Sequence, residues 1–362
     1  MIKKIAINTG GGDAPGLNAV IQAATLAATK RGWEVVGIRE GYSGLLDPQN
    51  YPSGGLVPLT PESVQDISHL GGTILGTVNK GNPFKVTESL QGGIKVEKDR
   101  SDELMEAFKK NQIDALIAIG GDGSLTIANS FYKRGLRVVG VPKTIDNDLE
   151  STVLTFGYQT AVSFATECID RLHSTADAHR RIFVVEVMGR YAGWIALNSG
   201  IAGRADAILI PEIPYSIQKV ADHIASSKRP YAIVVVAEGA KSVGGEVMVM
   251  AREAGRQERL GGVAEQISAQ LQKLTGQESR AMVLGHLLRG GSPIAFDRIL
   301  GLTFGAAAVG ALAKGESGVM VALQPPRICS VPLAEAVAKM KLVPVEGDGV
   351  STARALDICL GD

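Results

Sequence analysis

The chain has 362 residues, of which 45% are hydrophobic and 20% charged, as expected for one large or two ordinary globular domains. Its 37 basic and 37 acidic residues balance, which argues against a nucleic-acid or acidic-membrane surface as the main partner. The cysteines, Cys168, Cys329 and Cys359, are far apart and odd in number, so neither a disulfide framework nor a cysteine metal site is predicted. The N-terminus begins a strand without a signal peptide, and no apolar run approaches a membrane span of roughly 20 residues. We therefore expect a cytoplasmic protein.

Strands and helices alternate along nearly the whole chain. Apolar runs bounded by glycine predict strands at 5–9, 35–38, 114–119, 137–141, 182–187, 207–210, 232–237, 281–284 and 318–323. Helical spacing of apolar residues predicts helices at 20–32, 124–134, 159–173, 191–200, 217–226, 263–274, 302–313 and 333–340. The segment 47–62 is predicted to be loop, 80–100 a surface excursion, and the tail beyond 344 is mixed. This alternation predicts an α/β protein with two doubly wound lobes, each a mainly parallel sheet flanked by helices.

Two glycine loops follow predicted strands. The strand at 114–119 leads into Gly120-Gly121-Asp122-Gly123-Ser124, where Ser124 is predicted to cap the next helix. Bare backbone N–H groups at such a turn bind phosphate. Asp122 would repel phosphate unless a cation lay between them, so we interpret it as a magnesium ligand. The first loop, Gly10 to Asn18, matches neither the dinucleotide fingerprint nor a Walker A loop, and alone it is equally consistent with a turn that binds nothing.

Charged residues also follow the predicted strands. Asp146 and Asp148 come after the strand at 137–141, and ligands collect at the carboxyl ends of parallel strands. A phosphate cradle, a metal ligand, cations and a base are the parts that phosphoryl transfer needs, and Asp146 is the candidate base. Arg190 and Arg289, each beside glycine, suit a phosphorylated acceptor through forked N–H donors.

Two further arginines and two other enzyme classes are also considered. Arg181 and Arg280 lie at strand starts and, within one chain, are more readily structural. A dehydrogenase would need the dinucleotide fingerprint, which is absent. A hydrolase would need a nucleophile paired with histidine, and His286 has no such neighbour in the sequence.

Six segments, taken in order, resemble the phosphofructokinase family over nearly the whole chain. They are GGDAPGLN at 11–18, GGDGS at 120–124, PKTIDND at 142–148, RIFVVEVMGRYAG at 181–193, AEG at 237–239 and SRAMVLGHLLRGGSP at 279–293. The resemblance implies the phosphofructokinase fold and transfer of phosphate to the 1-hydroxyl of fructose 6-phosphate. NAD and lipid kinases share a GGDG loop but lack the later segments. A non-catalytic sensor of the same ligands is an alternative of a different class.

The resemblance also implies a role for each matching residue. The nucleotide phosphates would be held by Gly12, Gly121, Asp122, Gly123 and Ser124. Magnesium would be bound by Asp122, with Asp148 close to it. The transferring phosphoryl group and the sugar hydroxyl would be met by Thr144, Ile145 and Asp146, with Asp146 as the base. The sugar phosphate would be bound by Met188, Gly189, Arg190, Glu238, His286, Leu287, Leu288 and Arg289.

Quaternary structure and lobes follow from the same resemblance. In the family, the positions of Arg181 and Arg280 reach a neighbouring subunit's site, which implies a homotetramer or dimer. Residues 1–157 with 288–338 would form the nucleotide-binding lobe, and 158–287 with 339–362 the sugar-phosphate-binding lobe.

The phosphoryl donor is either ATP or pyrophosphate. Pyrophosphate users resemble one another in carrying Asp at the position of Gly123, where a carboxylate would crowd and repel the α-phosphate of a nucleotide. Lys143 favours pyrophosphate instead, but one exposed lysine contributes about 1 kcal/mol, less than steric exclusion. We expect ATP with Mg²⁺, and pyrophosphate is the alternative.

Several family positions are altered. Many bacterial members have Arg where this chain has Asn79, and Lys80 is a candidate replacement. Gln22, Leu26 and His173 stand where regulatory cations are usual, which puts the common effectors in question.

Overall fold

A computed structural model describes residues 2–79, 81–89, 95–251 and 259–362. The chain divides into two compact units. Unit one comprises Met1–Thr144, Leu149–Gly157 and Arg289–Met340, and unit two comprises Ile145–Asp148, Tyr158–Leu288 and Lys341–Asp362. Each unit contains its own sheet.

The secondary structure elements are numbered in chain order. The strands are β1 (Lys4–Thr9), β2 (Glu34–Ile38), β3 (Leu56–Pro58), β4 (Val86–Ser89), β5 (Lys95–Lys98), β6 (Ala115–Gly120), β7 (Arg137–Thr144), β8 (Phe156–Gly157), β9 (Ile182–Val187), β10 (Ala207–Leu209), β11 (Ala232–Ala237), β12 (Val249–Ala251), β13 (Arg259–Leu260), β14 (Ser279–Val283), β15 (Val319–Gln324) and β16 (Arg327–Pro332). The helices are α1 (Leu17–Thr29), α2 (Ser43–Leu46), α3 (Ser101–Lys110), α4 (Asp122–Lys133), α5 (Tyr158–His179), α6 (Trp194–Ala202), α7 (Ile217–Ser226), α8 (Val263–Thr275), α9 (Ala295–Ala313), α10 (Leu333–Ala336) and α11 (Asp348–Ala355).

The sheet of unit one has the order β16-β15-β7-β6-β1-β2-β3, with β8 paired to β7. Strands β15, β7, β6, β1 and β2 are parallel, whereas the edge strands β16 and β3 are antiparallel. Alternate residues of β1 pack on opposite faces: Ile5 and Ile7 join a core with α1 and α9, and Ala6 joins a core with α3 and α4. Because both faces are covered, the strands are apolar throughout, as expected for a parallel sheet.

Helices α1 and α9 pack closely through glycine. A Cβ added at Gly305 of α9 would lie 2.5 Å from the carbonyl oxygen of Val20 in α1. By length and composition α9, with 19 residues, could span a membrane, so the prediction that no apolar run approaches that length was wrong. Its buried side chains, including Leu300 and Phe304, belong to the core of unit one, which explains its composition without a membrane.

The sheet of unit two has the order β10-β11-β9-β14, and all of its strands are parallel. Helices α7 and α8 cover one face, where their apolar residues pack on β9, β10 and β11. Helix α5 contacts β9 and β11 of the same sheet, and helix α6 contacts β10 and β11. The carboxyl ends of the strands therefore form one edge, at Val187 and Ala237, and their starts form the opposite edge.

The predicted fold class is confirmed, since both units contain a mainly parallel sheet flanked by helices. The prediction missed α3, α11, the edge strands β3 and β16, and the antiparallel pair β4–β5 in the excursion, whose residues 80 and 90–94 lie outside the described residues. Helix α9 begins at Ala295, earlier than predicted, and α6 begins at Trp194, later than predicted.

Candidate active site

The first glycine loop of unit one continues from the carboxyl end of β1. The N–H of Gly10 donates to the carbonyl of Ile119 in β6 at 3.0 Å, and the N–H of Gly11 donates to the carbonyl of Val78 at 3.1 Å. Gly11 has φ 77°, a left-handed conformation that favours glycine. The loop is therefore fixed between β6 and the segment that precedes residue 79.

Three side chains bind three successive carbonyl groups of this loop. Thr77 Oγ1 donates to the Gly11 carbonyl at 2.6 Å, Lys143 Nζ donates to the Gly12 carbonyl, and Arg289 Nη1 donates to the Asp13 carbonyl at 3.0 Å. A Cβ added at Gly12 would lie 2.8 Å from Arg289 Nη1, so any side chain at this position would displace the guanidinium from its present place. Arg289, predicted to bind the sugar phosphate, belongs to unit one.

The segment 71–77 was predicted only as a tight glycine segment, and the structure shows how it is held. Thr9 Oγ1 donates to the Gly76 carbonyl at 2.7 Å. The Asn18 amide donates to the Leu70 carbonyl at 3.1 Å, and its oxygen accepts the N–H of Ile74 at 2.9 Å. Sequence reasoning missed these contacts, although Asn18 lies in a segment that carries the family resemblance.

The second glycine loop joins β6 to α4. Helix α4 begins at Asp122, and its first intrahelical bond runs from the N–H of Leu125 to the carbonyl of Gly121 at 2.9 Å. The N–H groups of residues 122–124 therefore precede the helical hydrogen-bond pattern and can bind an anion. The prediction that Ser124 caps this helix was wrong, because Ser124 is its third residue and Gly121 is the capping residue.

The side chain of Ser124 instead explains why positions 10 and 120 are glycine. A Cβ at Gly10 would lie 2.6 Å from Ser124 Oγ, and a Cβ at Gly120 would lie 2.3 Å from Ser124 Cβ. The two glycine loops of unit one consequently pack against each other around one serine side chain. Loops that start at neighbouring parallel strands are brought together in this way at the carboxyl edge of a sheet.

Asp122 and Gly123 lie at the exposed start of α4. Both residues are exposed, and a Cβ added at Gly123 would have no atom within 4 Å. Among the described residues, no three of His, Cys, Asp and Glu form a group that could hold a metal ion. Mg²⁺ usually binds one or two carboxylates together with substrate phosphates, so a single exposed carboxylate beside free N–H groups fits a magnesium site that the substrate completes.

Lys143 and Thr144 end strand β7. Lys143 is only 3% exposed, so the premise that it is an exposed lysine was wrong. Thr144 is also buried, and its carbonyl accepts the hydroxyl of Thr155 at 2.7 Å. A Cβ at Gly121 would lie 3.4 Å from the Lys143 carbonyl, so the end of β7 lies beside the start of α4.

In unit two, the turn after β9 packs against the end of β11. Arg190 has φ 53°, and a Cβ at Gly189 would lie 2.6 Å from the carbonyl of Ala192. A Cβ at Gly239 would lie 1.8 Å from the carbonyl of Arg190, so only glycine permits this contact. The turn from Met188 to Arg190 is therefore fixed by backbone packing next to Glu238.

Glu238 has a perturbed pKa and interacts with another residue of the predicted site. Burial first, and then the negative charge of Asp146, raise the pKa of Glu238 to about 7, and the hydrogen bonds from the N–H groups of Arg190 and Gly189 oppose this shift. The N–H of Arg190 donates to Glu238 Oε1 at 3.0 Å. Two predicted site residues, Asp146 and Glu238, are thus close enough to interact electrostatically.

The segment Ile145–Asp148 is buried in unit two. Asp146 and Asp148 are 4% and 7% exposed. Lys341 Nζ donates to the amide oxygen of Asn147 at 3.0 Å, and the N–H of Lys341 donates to the carbonyl of Asp148 at 2.9 Å. These contacts fix the backbone that presents both carboxylates.

The last predicted acceptor residues follow β14. Gly285–Arg289 forms one 3₁₀ turn, in which His286 and Leu287 are exposed and Leu288 is buried. The N–H of Leu284 donates to the carbonyl of Glu186 in β9 at 3.0 Å, which places this turn at the carboxyl edge of the sheet of unit two.

Arg181 and Arg280 lie at the opposite edge of that sheet. Arg181 directly precedes β9, and Arg280 is the second residue of β14. Arg181 Nε lies 2.7 Å from Glu278 Oε2, and Arg280 pairs with the other oxygen of the same carboxylate. The six-residue strand β9, at about 3.3 Å per residue, separates Arg181 from Arg190 by roughly 20 Å.

The residues at the altered family positions differ in burial and in hydrogen bonding. The Gln22 amide donates to the carbonyls of Val64 and Gln65, each at 2.6 Å, while Leu26 is exposed. His173 is buried and its Nε2 lies 2.7 Å from the carbonyl of Gly203. Asn79 is exposed, and Lys80 lies outside the described residues.

The chain is similar to known phosphofructokinases. The family model described as phosphofructokinase matches residues 4–312. An ATP-dependent 6-phosphofructokinase of Chloroflexus aurantiacus is 47% identical, with 99% of this chain and 98% of that protein covered. A pyrophosphate–fructose 6-phosphate 1-phosphotransferase of Amycolatopsis mediterranei is also 47% identical, with 95% and 97% covered.

A solved structure gives the same result. The Pichia pastoris phosphofructokinase in the T-state is 33% identical with a TM-score of 0.78, and the match covers 99% of this chain and 37% of that longer chain. The family match includes residues of both units, and the Chloroflexus aurantiacus and Amycolatopsis mediterranei relatives are matched over nearly their full length. The chain therefore belongs to the phosphofructokinase family.

Proposed function

We propose that this protein is an ATP-dependent 6-phosphofructokinase, a kinase that converts fructose 6-phosphate and ATP to fructose 1,6-bisphosphate and ADP in glycolysis. The observation that carries the choice of donor is the open space at Gly123, beside the free N–H groups that begin α4. The name of the Chloroflexus aurantiacus relative supports the same reaction.

The donor phosphates bind in unit one. The N–H groups of residues 122–124 bind phosphate oxygens, and the positive end of the α4 dipole favours their negative charge. Asp122 would hold Mg²⁺, which would neutralise phosphate charge. Gly12 lets the first loop approach the phosphates without side-chain obstruction.

The acceptor is bound and activated by residues of unit two. Arg190 and His286 bind the 6-phosphate, with Met188, Gly189, Leu287 and Leu288 shaping the site, and Glu238 binds the sugar. Asp146 takes the proton from the 1-hydroxyl while that oxygen bonds to the γ-phosphorus and the bond to the ADP oxygen breaks. Asp148 would be a second carboxylate for Mg²⁺, and Thr144 would meet the transferring phosphoryl group.

Arg181 and Arg280 serve a second copy of the chain. They lie at the sheet edge opposite Arg190, so they do not share its sugar phosphate within one chain. We expect a homotetramer or dimer in the cytoplasm, in which both arginines contribute cations to a neighbouring site.

Pyrophosphate is the second candidate donor. Lys143 is buried against the Gly12 carbonyl, and the Amycolatopsis mediterranei relative is named for pyrophosphate. Purified protein assayed side by side with Mg-ATP and Mg-pyrophosphate, at equal fructose 6-phosphate, separates the two. Fructose 1,6-bisphosphate formed from pyrophosphate alone would refute the ATP assignment, and binding of both ligands without turnover would indicate a sensor instead.

A further inference from the structure

We infer that Thr77, Lys143 and Arg289 act together as positioning residues that orient the first glycine loop toward the phosphate chain of the donor. The identity of that ligand rests on the proposed function. The orientation itself rests on three contacts within unit one, described above.

The argument starts from the planarity of the peptide group. In a trans peptide, the C=O and the following N–H point in opposite directions. The carbonyls of Gly11, Gly12 and Asp13 each accept a side-chain donor. The N–H groups of residues 12, 13 and 14 are consequently directed away from Thr77, Lys143 and Arg289.

Of these N–H groups, those of Gly12 and Asp13 are available to a ligand, because both residues are partly exposed whereas Ala14 is fully buried. Among the described residues, none provides a hydrogen-bond acceptor for the N–H of Gly12, Asp13 or Ala14. Successive unpaired N–H groups form an anion-binding concavity. The carbonyl oxygens, which would repel an anion, are neutralised by two cations and a hydroxyl on the other side of the chain.

The donors come from distant parts of the chain. Thr77 precedes the excursion at 80–100, Lys143 is the penultimate residue of β7, and Arg289 follows β14. Lys143 is buried, so a charged ammonium at this position requires an acceptor such as the Gly12 carbonyl. Backbone N–H groups at such a loop bind phosphate oxygens, so this arrangement suits the phosphate chain of the donor rather than its nucleoside.

The test is Lys143→Met, with Lys133→Met as the matched control, because Lys133 is exposed in the last turn of α4. Hydrogen exchange is followed by mass spectrometry over residues 10–18. In the free protein, Lys143→Met should speed exchange of the Gly10 and Gly11 amides about tenfold or more, since both depend on a closed loop. In the wild-type protein, Mg-ATP or Mg-tripolyphosphate should slow exchange at residues 12 and 13, and this protection should be lost in the variant.

Kinetics provide the second readout. Lys143→Met should raise KM for ATP about tenfold and leave KM for fructose 6-phosphate unchanged, and Lys143→Arg should restore much of the loss because it keeps a cationic donor. Thr77→Val should shift exchange in the same direction by a smaller factor, and it replaces Lys143→Met if that variant does not fold. Lys133→Met should behave as wild type throughout.

A weaker affinity for ATP with wild-type loop exchange would overturn the inference, because Lys143 would then contact the donor directly. Absence of turnover in the wild-type protein would refute the proposed function instead. In that case the exchange measurements with tripolyphosphate still decide whether the loop is oriented by these side chains.

Discussion

Replacement of Glu238 by Gln should change how the stability of the protein depends on pH. Burial and the charge of Asp146 raise the pKa of Glu238 to about 7 in the folded chain, from an ordinary value of 4.5. A carboxyl with a raised folded pKa binds more protons folded than unfolded, so its contribution to stability is fully present below pH 4.5 and is lost as pH rises through 7. Gln keeps an oxygen that accepts the N–H of Arg190 but carries no charge.

The magnitude follows from the gap between the two pKa values. At about 1.4 kcal/mol per unit, the whole effect is worth about 3 kcal/mol at pH 8, and linkage places about 2 kcal/mol of it between pH 5.5 and pH 8. Urea unfolding at both pH values should therefore show the wild-type protein losing about 2 kcal/mol more than Glu238→Gln over this interval.

The matched control is Glu265→Gln, because Glu265 is an exposed glutamate in the first turn of α8. Its stability difference from wild type should not depend on pH in this way. If the difference between wild type and Glu238→Gln were the same at pH 5.5 and pH 8, Glu238 would titrate normally and the electrostatic reading of this site would be refuted.

Three further variants test the fold and the proposed chemistry. Asp146→Ser should lower kcat by a factor of about 10² to 10⁴ and leave fructose 6-phosphate binding by calorimetry largely intact, whereas equal losses in both would mark Asp146 as structural. Gly123→Asp should leave the melting temperature unchanged, because the added side chain meets nothing within 4 Å, yet raise KM for ATP far more than KM for fructose 6-phosphate; unchanged ATP kinetics would contradict the steric argument. Gly305→Ala should cost about 1 to 3 kcal/mol in urea unfolding by forcing α9 away from Val20, and Gly310→Ala, which meets no atom within 4 Å, is its control.

The sequence predicted the central strands of both sheets well. Strands β6, β9 and β11 are buried on both faces, so their apolar runs carry a strong signal. Helix α3 was missed although its signal is present: Leu104 and Phe108 are buried one turn apart, acids occupy the first turn and lysines the last. Strand β16 is a partly exposed edge strand with mixed residues, and local pattern does not identify such strands.

The sequence predicted which residues of the candidate site lie at strand ends. It did not predict which other residues they contact. The Lys143–Gly12 and Thr77–Gly11 hydrogen bonds join residues far apart in the chain, and no local period encodes such a contact. The raised pKa of Glu238 depends on burial and on Asp146, neither of which is visible in the sequence around position 238.

The position of Lys143 changes the argument about the donor. An exposed lysine would add a small attraction for either donor, whereas a buried lysine bound to the Gly12 carbonyl orients N–H groups that face phosphate. ATP and pyrophosphate both present a chain of linked phosphates to such a loop, so this contact does not distinguish them. They differ beyond the second phosphate from the transferring end, where ATP continues and pyrophosphate stops. Discrimination must therefore come from a position that either leaves room for the continuation or blocks it, and the open space at Gly123 leaves that room.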